Sequence, residues 1–181
     1  MRNSITPLPG GRLRKEYRGT LAWKREITLL RQMAGSGLCP ELLDAPLRGA
    51  EMTECPGVPL GECIRTASRQ EAREMMAALA AWTDAFEREY HRRTGQTAVL
   101  EDLSPGNFLW DAASRKITGL DFEFWHTGSP AENRGGLLCM AERLKAAEIT
   151  GEELTGELYR QFRGGSDRAE VGHGAGQARQ R

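Results

Sequence analysis

A chain of 181 residues is long enough for one domain, or for two small lobes sharing one core. Lys+Arg and Asp+Glu balance at 25 each, which excludes a global field that would recruit nucleic acid or a basic partner. No run approaches the roughly 20 apolar residues that cross a bilayer, and Pro7, Pro9, Gly10 and Gly11 interrupt the N-terminal segment too early for a signal peptide. Cys39, Cys55, Cys63 and Cys139 form no C-x-x-C pair, so they read as reduced thiols and the expected location is cytoplasmic.

The first element is a short strand over about residues 12–18, with Leu13, Lys15 and Tyr17 on one face. A helix follows over about 20–35, where Trp23, Ile27, Leu30 and Met33 step by four and three. Gly35-Ser36-Gly37 stops it, and Pro40 forbids its continuation. Residues 49–60 read as a strand running into the turn-rich Cys55-Pro56-Gly57-Val58-Pro59. The clearest helix spans about 68–93. Ser68 and Glu71 form its capping box, and Met75, Leu79, Trp82, Phe86 and Tyr90 make one apolar stripe that belongs in a core.

Val99-Leu100, Phe108–Trp110 and Lys116–Leu120 read as short strands, with Asp111–Arg115 turning the second onto the third. Ser129-Pro130-Ala131-Glu132 opens another helix, followed by Leu137, Leu138, Ala141 and Leu144 at helical spacing. Thr150 and Glu153 open the last helix, with Leu154, Leu158 and Phe162 on its inner face. From Gly164 the chain is Gly-rich and polar and is expected to be disordered to Arg181, a passive tail whose Arg179 and Arg181 could otherwise touch an acidic partner.

The segment with most chemical content is Leu100-Glu101-Asp102-Leu103-Ser104-Pro105-Gly106-Asn107, followed by Asp121-Phe122-Glu123. An acidic residue, an Asn five positions on and a second acidic residue fourteen beyond the Asn suit metal-assisted phosphoryl transfer. Asp102 would orient an attacking hydroxyl, while Asn107 and Asp121 would offer oxygen ligands to Mg²⁺. Taken singly, Asp102 and Asn107 also suit turn capping, Lys15 a charged surface strand, and Glu26 an exposed helical position.

These residues resemble the protein-kinase-like superfamily, nearest to its aminoglycoside phosphotransferase and choline kinase branch and to compact RIO-type kinases. Leu100–Asn107 resembles the catalytic loop H-x-D-L-x-P-x-N, and Asp121-Phe122-Glu123 the metal-binding D-F-G or D-x-E segment. The resemblance covers about residues 12–145. It implies Asp102 as the catalytic residue, Asn107 and Asp121 as Mg²⁺ ligands, and Lys15 on the α/β-phosphates of ATP with Glu26 as its ion-pair partner. It also implies a hinge over 51–60, so that Met52 and Glu54 would meet adenine.

The implied fold is α+β, a minimal two-lobed kinase-like form with a truncated N-terminal lobe and a mostly helical C-terminal lobe. Residues 1–54 would make the nucleotide lobe, 55–163 the catalytic lobe and 164–181 the tail. The implied function is ATP- and Mg²⁺-dependent phosphorylation of a hydroxyl acceptor, more naturally a small molecule than a protein, with no nucleic acid or membrane and with room for a partner protein. Of three departures from the family pattern, the first two favour the alternative, a pseudokinase or a nucleotide-binding or interaction module without turnover, and the third leaves room for a large substrate or a completing partner. Leu100 stands where the branch usually has His. Only fourteen residues precede Lys15, with Pro9-Gly10-Gly11 in place of a Gly-rich loop, as in a minimal form or a truncated product. The segment after Asp121 is short.

Overall fold

The computed structural model describes residues 3–177. Near the N-terminus a four-stranded antiparallel sheet has the order β1-β2-β4-β3, formed by Ser4–Leu8 (β1), Arg12–Glu16 (β2), Leu42–Asp44 (β3) and Gly49–Thr53 (β4). Helix α1, Thr20–Gln32, connects β2 to β3 and buries Glu26, Ile27, Leu29 and Leu30. The sequence reading has no strand at Ser4–Leu8. All but one of its residues are exposed, so the strand carries no period-two apolar signal, and Pro7 is tolerated because β1 is an edge strand. Gly10 and Gly11, both at positive φ (78° and 66°), turn it onto β2 as a hairpin.

Two further sheets are small. Val58–Pro59 (β5), Phe108–Asp111 (β7) and Lys116–Gly119 (β8) form a three-stranded sheet. Ala98–Leu100 (β6) pairs with Trp125–Thr127 (β9). Helix α2, Leu60–Thr66, was hidden in the sequence because its apolar pair, Leu60 and Ile64, follows directly on a Pro-rich turn. The expected hairpin between β7 and β8 is present, with Asp111 opposite Lys116 and Phe108 opposite Gly119.

Helix α3, Arg69–Thr94, is the axis of the molecule. Ser68 and Glu71 close the expected capping box, and Gly95 ends the helix at φ 71°. Met75, Leu79, Trp82, Phe86 and Tyr90 are all buried. The aromatic members continue into a ladder. Trp82 stacks on Phe86 at 5.0 Å and meets Phe108 edge-on at 5.3 Å, while Phe86 stacks on Phe122 at 5.8 Å. Tyr90 meets Trp125 edge-on at 5.9 Å. Each such pair adds roughly 0.5–1.5 kcal/mol beyond the area it buries.

Helices α4, Pro130–Glu142, and α5, Gly151–Gln177, pack against α3 and each other. Both open on the expected boxes, Ser129 with Glu132 and Thr150 with Glu153. Leu154, Leu158 and Phe162 are buried. The backbone of α5 is described as helical to Gln177. Arg179 and Arg181 lie outside the described residues. Among the described residues the four cysteines are free, and no helix is long and apolar enough to cross a membrane.

The β7–β8 hairpin is seated directly on α3. The Leu38 carbonyl accepts hydrogen bonds from both Trp82 Nε1 (2.8 Å) and the Gly119 N–H (3.0 Å). A methyl group on Gly119 would penetrate the Trp82 ring and press on Phe122. Gly119→Ala is therefore expected to destabilise the fold by about 1–3 kcal/mol through overpacking, measured as a lower urea midpoint with an unchanged slope.

Candidate active site

The site is built around one buried ammonium group. Lys15 lies on β2 with its side chain turned inward, on the same face as Leu13 and Tyr17. Its Nζ is 2.6 Å from Glu26 Oε2, 2.6 Å from Asp121 Oδ1 and 2.7 Å from Glu123 Oε1. It also stands 4.9 Å from the centre of the Tyr17 ring. Helix α1 brings in Glu26 from one of its buried positions, and the segment after β8 brings in Asp121 and Glu123.

Burial alone would lower the Lys15 pKa, but Glu26 and then Asp121 outweigh it, and the ammonium stays charged far above neutrality. Burial pushes the Glu26 and Glu123 carboxyls up against the pull of Lys15. One cation faces three carboxyl groups, and burial biases two of them toward their neutral forms. The Asp121 side chain is 42% exposed, whereas those of Glu26 and Glu123 are at 3% and 8%. The cluster therefore opens to solvent at Asp121.

The backbone around Asp121 is held by specific contacts. Asp121 has φ 60°, an uncommon conformation that Asp tolerates better than most residues. Phe122 is fixed behind it by Phe86, and the Phe122 N–H donates to Glu26 Oε1 at 3.2 Å. A cost of about 1–3 kcal/mol for such a conformation persists only where the surroundings dictate it. Here they turn the aromatic ring inward and the carboxylate toward Lys15.

Asn107 is joined to this segment through the main chain, since its carbonyl accepts from the Leu120 N–H at 2.8 Å. Its Nδ2 donates to the Asp102 carbonyl at 3.1 Å, so the amide leaves Oδ1 as its remaining polar atom. Asn107 and Asp121 thus lie at the same end of the β7–β8 hairpin. Asp102 is exposed and faces a cavity of about 470 Å³ between its loop and α4. Glu101, Glu132, Cys139 and Arg143 also line that cavity.

The expected hinge residues lie on β4 and just beyond it. Met52 is buried in β4, flanked by Leu13 on one side and Leu42 on the other. The Glu54 N–H donates to the Gly11 carbonyl at 2.8 Å and the Thr53 N–H to the Glu41 carbonyl at 3.0 Å. Neither N–H is free for a base, because the β1–β2 turn and the chain before β3 use them.

Three groups at or beside the site were not singled out in the sequence. Glu123 was visible as the last letter of D-x-E. Asn3 donates its side-chain amide to Glu123 and accepts from the Arg18 N–H at 3.2 Å, and no sequence signal pointed there. His126 bridges two carboxylates on the cavity rim, with Nδ1 3.0 Å from Glu101 Oε1 and Nε2 3.3 Å from Glu132 Oε2.

No family model and no curated protein matches the chain in sequence. Solved structures do match in shape. One is the streptomycin–ATP–APH(2'')-IIa ternary complex, at 11% identity and a TM-score of 0.62, covering 90% of this chain and 79% of that one. The gentamicin–APH(2'')-IIa complex matches at 10% identity and a TM-score of 0.66, covering 89% and 73%. The ADP-bound aminoglycoside phosphotransferase APH(2'')-Ib matches at 11% identity and a TM-score of 0.60, covering 90% and 77%. The chain shares the kinase-like fold of these aminoglycoside phosphotransferase structures. In this kinase-like fold the four-stranded sheet with α1 makes the small lobe, and α2 to α5 make the mostly helical one.

The rim histidine gives a direct electrostatic test. Hydrogen bonding to Glu101, and then to Glu132, raises its pKa above the ordinary 6.5. A charged His126 favours the folded state, so its contribution is complete below pH 6.5 and is lost as pH rises through the raised value. NMR titration of His126 is expected to give a midpoint above 6.5, and Glu101→Gln should bring it down. A midpoint indifferent to that substitution would break the assigned bridge.

Proposed function

We propose that the protein is an ATP- and Mg²⁺-dependent phosphotransferase that phosphorylates a hydroxyl group of a small molecule. The observation that carries this reading is the Lys15 cluster, in which one ammonium group on β2 meets Glu26 of α1 and Asp121 beyond β8 at 2.6 Å each. The kinase-like fold supports it, and so do the neighbouring structures, which are complexes with ATP or ADP and with aminoglycosides. Residues 1–54 would form the nucleotide lobe and 55–163 the catalytic lobe.

The donor set suits Mg²⁺, which takes oxygen ligands and only one or two carboxylates. Asp121 has a solvent-facing carboxylate, and Asn107 would contribute an amide oxygen. These two residues would hold the ion, which when bound neutralises charge on the phosphate oxygens. Lys15 gives a compact positive charge to the nucleotide's phosphates, and Glu26 keeps that flexible side chain aimed. With the N–H groups of Thr53 and Glu54 engaged, adenine would rest against Met52 and take its polar contact from the Glu54 carbonyl or the chain beyond it.

Asp102 faces the cavity where the acceptor would lie. Its carboxylate accepts the hydroxyl proton as the acceptor oxygen bonds to the γ-phosphorus. The bond from that phosphorus to the β–γ bridging oxygen breaks, and ADP leaves. On the cavity wall Glu101 and Glu132 are engaged by His126, so Asp102 is the carboxylate offered to an acceptor, and Arg143 sets a boundary of opposite charge.

A second reading, a nucleotide-binding pseudokinase, is favoured by Leu100 and by the engaged hinge donors. Two variants and one titration separate the two. Asp121→Asn is expected to abolish Mg·ATP-dependent turnover while circular dichroism stays native. Asp102→Asn should lower kcat by about 10²–10⁴-fold, the usual weight of a positioned general base. Mg·ATP should raise the Tm of the parent chain. A rise without turnover would favour the pseudokinase, and the absence of both would remove the nucleotide reading.

A further inference from the structure

Strand β6 leads straight into the Asp102 loop, and β9 covers only one of its edges. On the other edge stands the side chain of Asn133 of α4, which is 2% exposed. Its Oδ1 accepts from the Leu100 N–H at 2.8 Å and its Nδ2 donates to the Ala98 carbonyl at 2.9 Å. The amide therefore makes the pair of hydrogen bonds that a third strand would make. Nδ2 also donates to Glu87 Oε1 of α3 at 3.2 Å.

The direction of that amide matters. With Glu87 ionised, Glu87 and the Ala98 carbonyl offer only lone pairs. A flipped Asn133 would press its oxygen against both and its NH₂ against the Leu100 N–H. Glu87 is itself buried at 7% exposure, and Arg134 of α4 stands 3.7 Å from its other oxygen. A buried carboxylate is costly unless it is paired and hydrogen-bonded, and Asn133 and Arg134 are the partners Glu87 has.

We propose that Glu87 and Asn133 form a positioning relay, in which Glu87 orients the Asn133 amide and the amide sets the Leu100–Asp102 backbone at the mouth of the acceptor cavity. The importance of that backbone for turnover rests on the phosphotransferase reading. The relay itself is a matter of hydrogen-bond polarity, and it acts where the sequence has Leu100 in place of a loop-organising His. Glu87 and Asn133 are positioning residues and touch neither nucleotide nor acceptor.

The polarity can be inverted. In Asn133→Asp, at a pH where both carboxyls are ionised, every side-chain oxygen is an acceptor, so position 133 repels Glu87 and the Ala98 carbonyl. Adding Glu87→Gln puts a donor back between positions 87 and 133. Amide exchange of the full-length chain, followed by NMR at Leu100 and at Leu79 in the α3 core, reads the relay without any substrate. Asn133→Asp is expected to speed Leu100 exchange about tenfold relative to Leu79, and the double variant should return it to within about threefold, as expected for one buried hydrogen bond. Glu87→Met, which removes the acceptor without adding charge, should also speed Leu100 exchange selectively.

In turnover, kcat should fall in Asn133→Asp and recover in the double variant, with KM for ATP unchanged. Equal acceleration at Leu79 and Leu100, or a double variant no better than Asn133→Asp, would overturn the relay. So would an unmoved Leu100 in Glu87→Met, even if Asn133→Asp failed to fold. Absence of turnover in the parent chain would instead remove the phosphotransferase reading and leave the exchange result to decide the relay.

Discussion

One ammonium group, shared among three carboxylates from distant parts of the chain, is the constraint on which the arrangement depends. Lys15 comes from β2, Glu26 from α1, and Asp121 and Glu123 from beyond β8. A buried ion cluster is weak evidence for stability, since desolvation offsets most of its attraction. Its cost is easier to understand if the site must present charge. Lys15 remains positive, and Asp121 is the most exposed of the three carboxyl groups around it.

The apolar ladder on α3 gives that cluster its geometry. Phe122 stacks on Phe86, so Asp121 and Glu123 on either side of it are turned toward Lys15. Phe108 packs on Trp82, so the hairpin carrying Asn107 at its start is fixed to the same helix. Packing in the large lobe thereby sets where oxygen atoms stand at the boundary with the small sheet. The Phe122 N–H, bound to Glu26, makes the same connection through a polar contact.

The Asp102 loop is held differently, by polar groups. Pairing with β9 fixes one edge of β6, and Asn133 fixes the other. The loop then passes along the cavity beneath α4, where His126 bridges Glu101 and Glu132. Thus the nucleotide side of the proposed site depends on aromatic stacking behind a charge cluster, and the acceptor side on a hydrogen-bonded frame.

Much of this was legible in the sequence, for local reasons. The capping boxes at Ser68, Ser129 and Thr150, the stripe on α3 and the turn at Asp111–Arg115 depend on neighbours a few residues apart. The catalytic-loop pattern and the order of Lys15, Glu26 and Asp121 were enough to suggest the kinase-like fold. Strands β1, β3 and β9 and helix α2 were not readable, because they are short, exposed or Pro-flanked and form only against partners elsewhere. Tertiary structure alone decided that the Glu54 N–H is used by Gly11, that Glu123 joins Lys15, and that Asn133 acts as a strand neighbour. Each is a contact between residues far apart in the chain, and a pattern of local spacing carries no information about which distant hydrogen-bond partner will arrive.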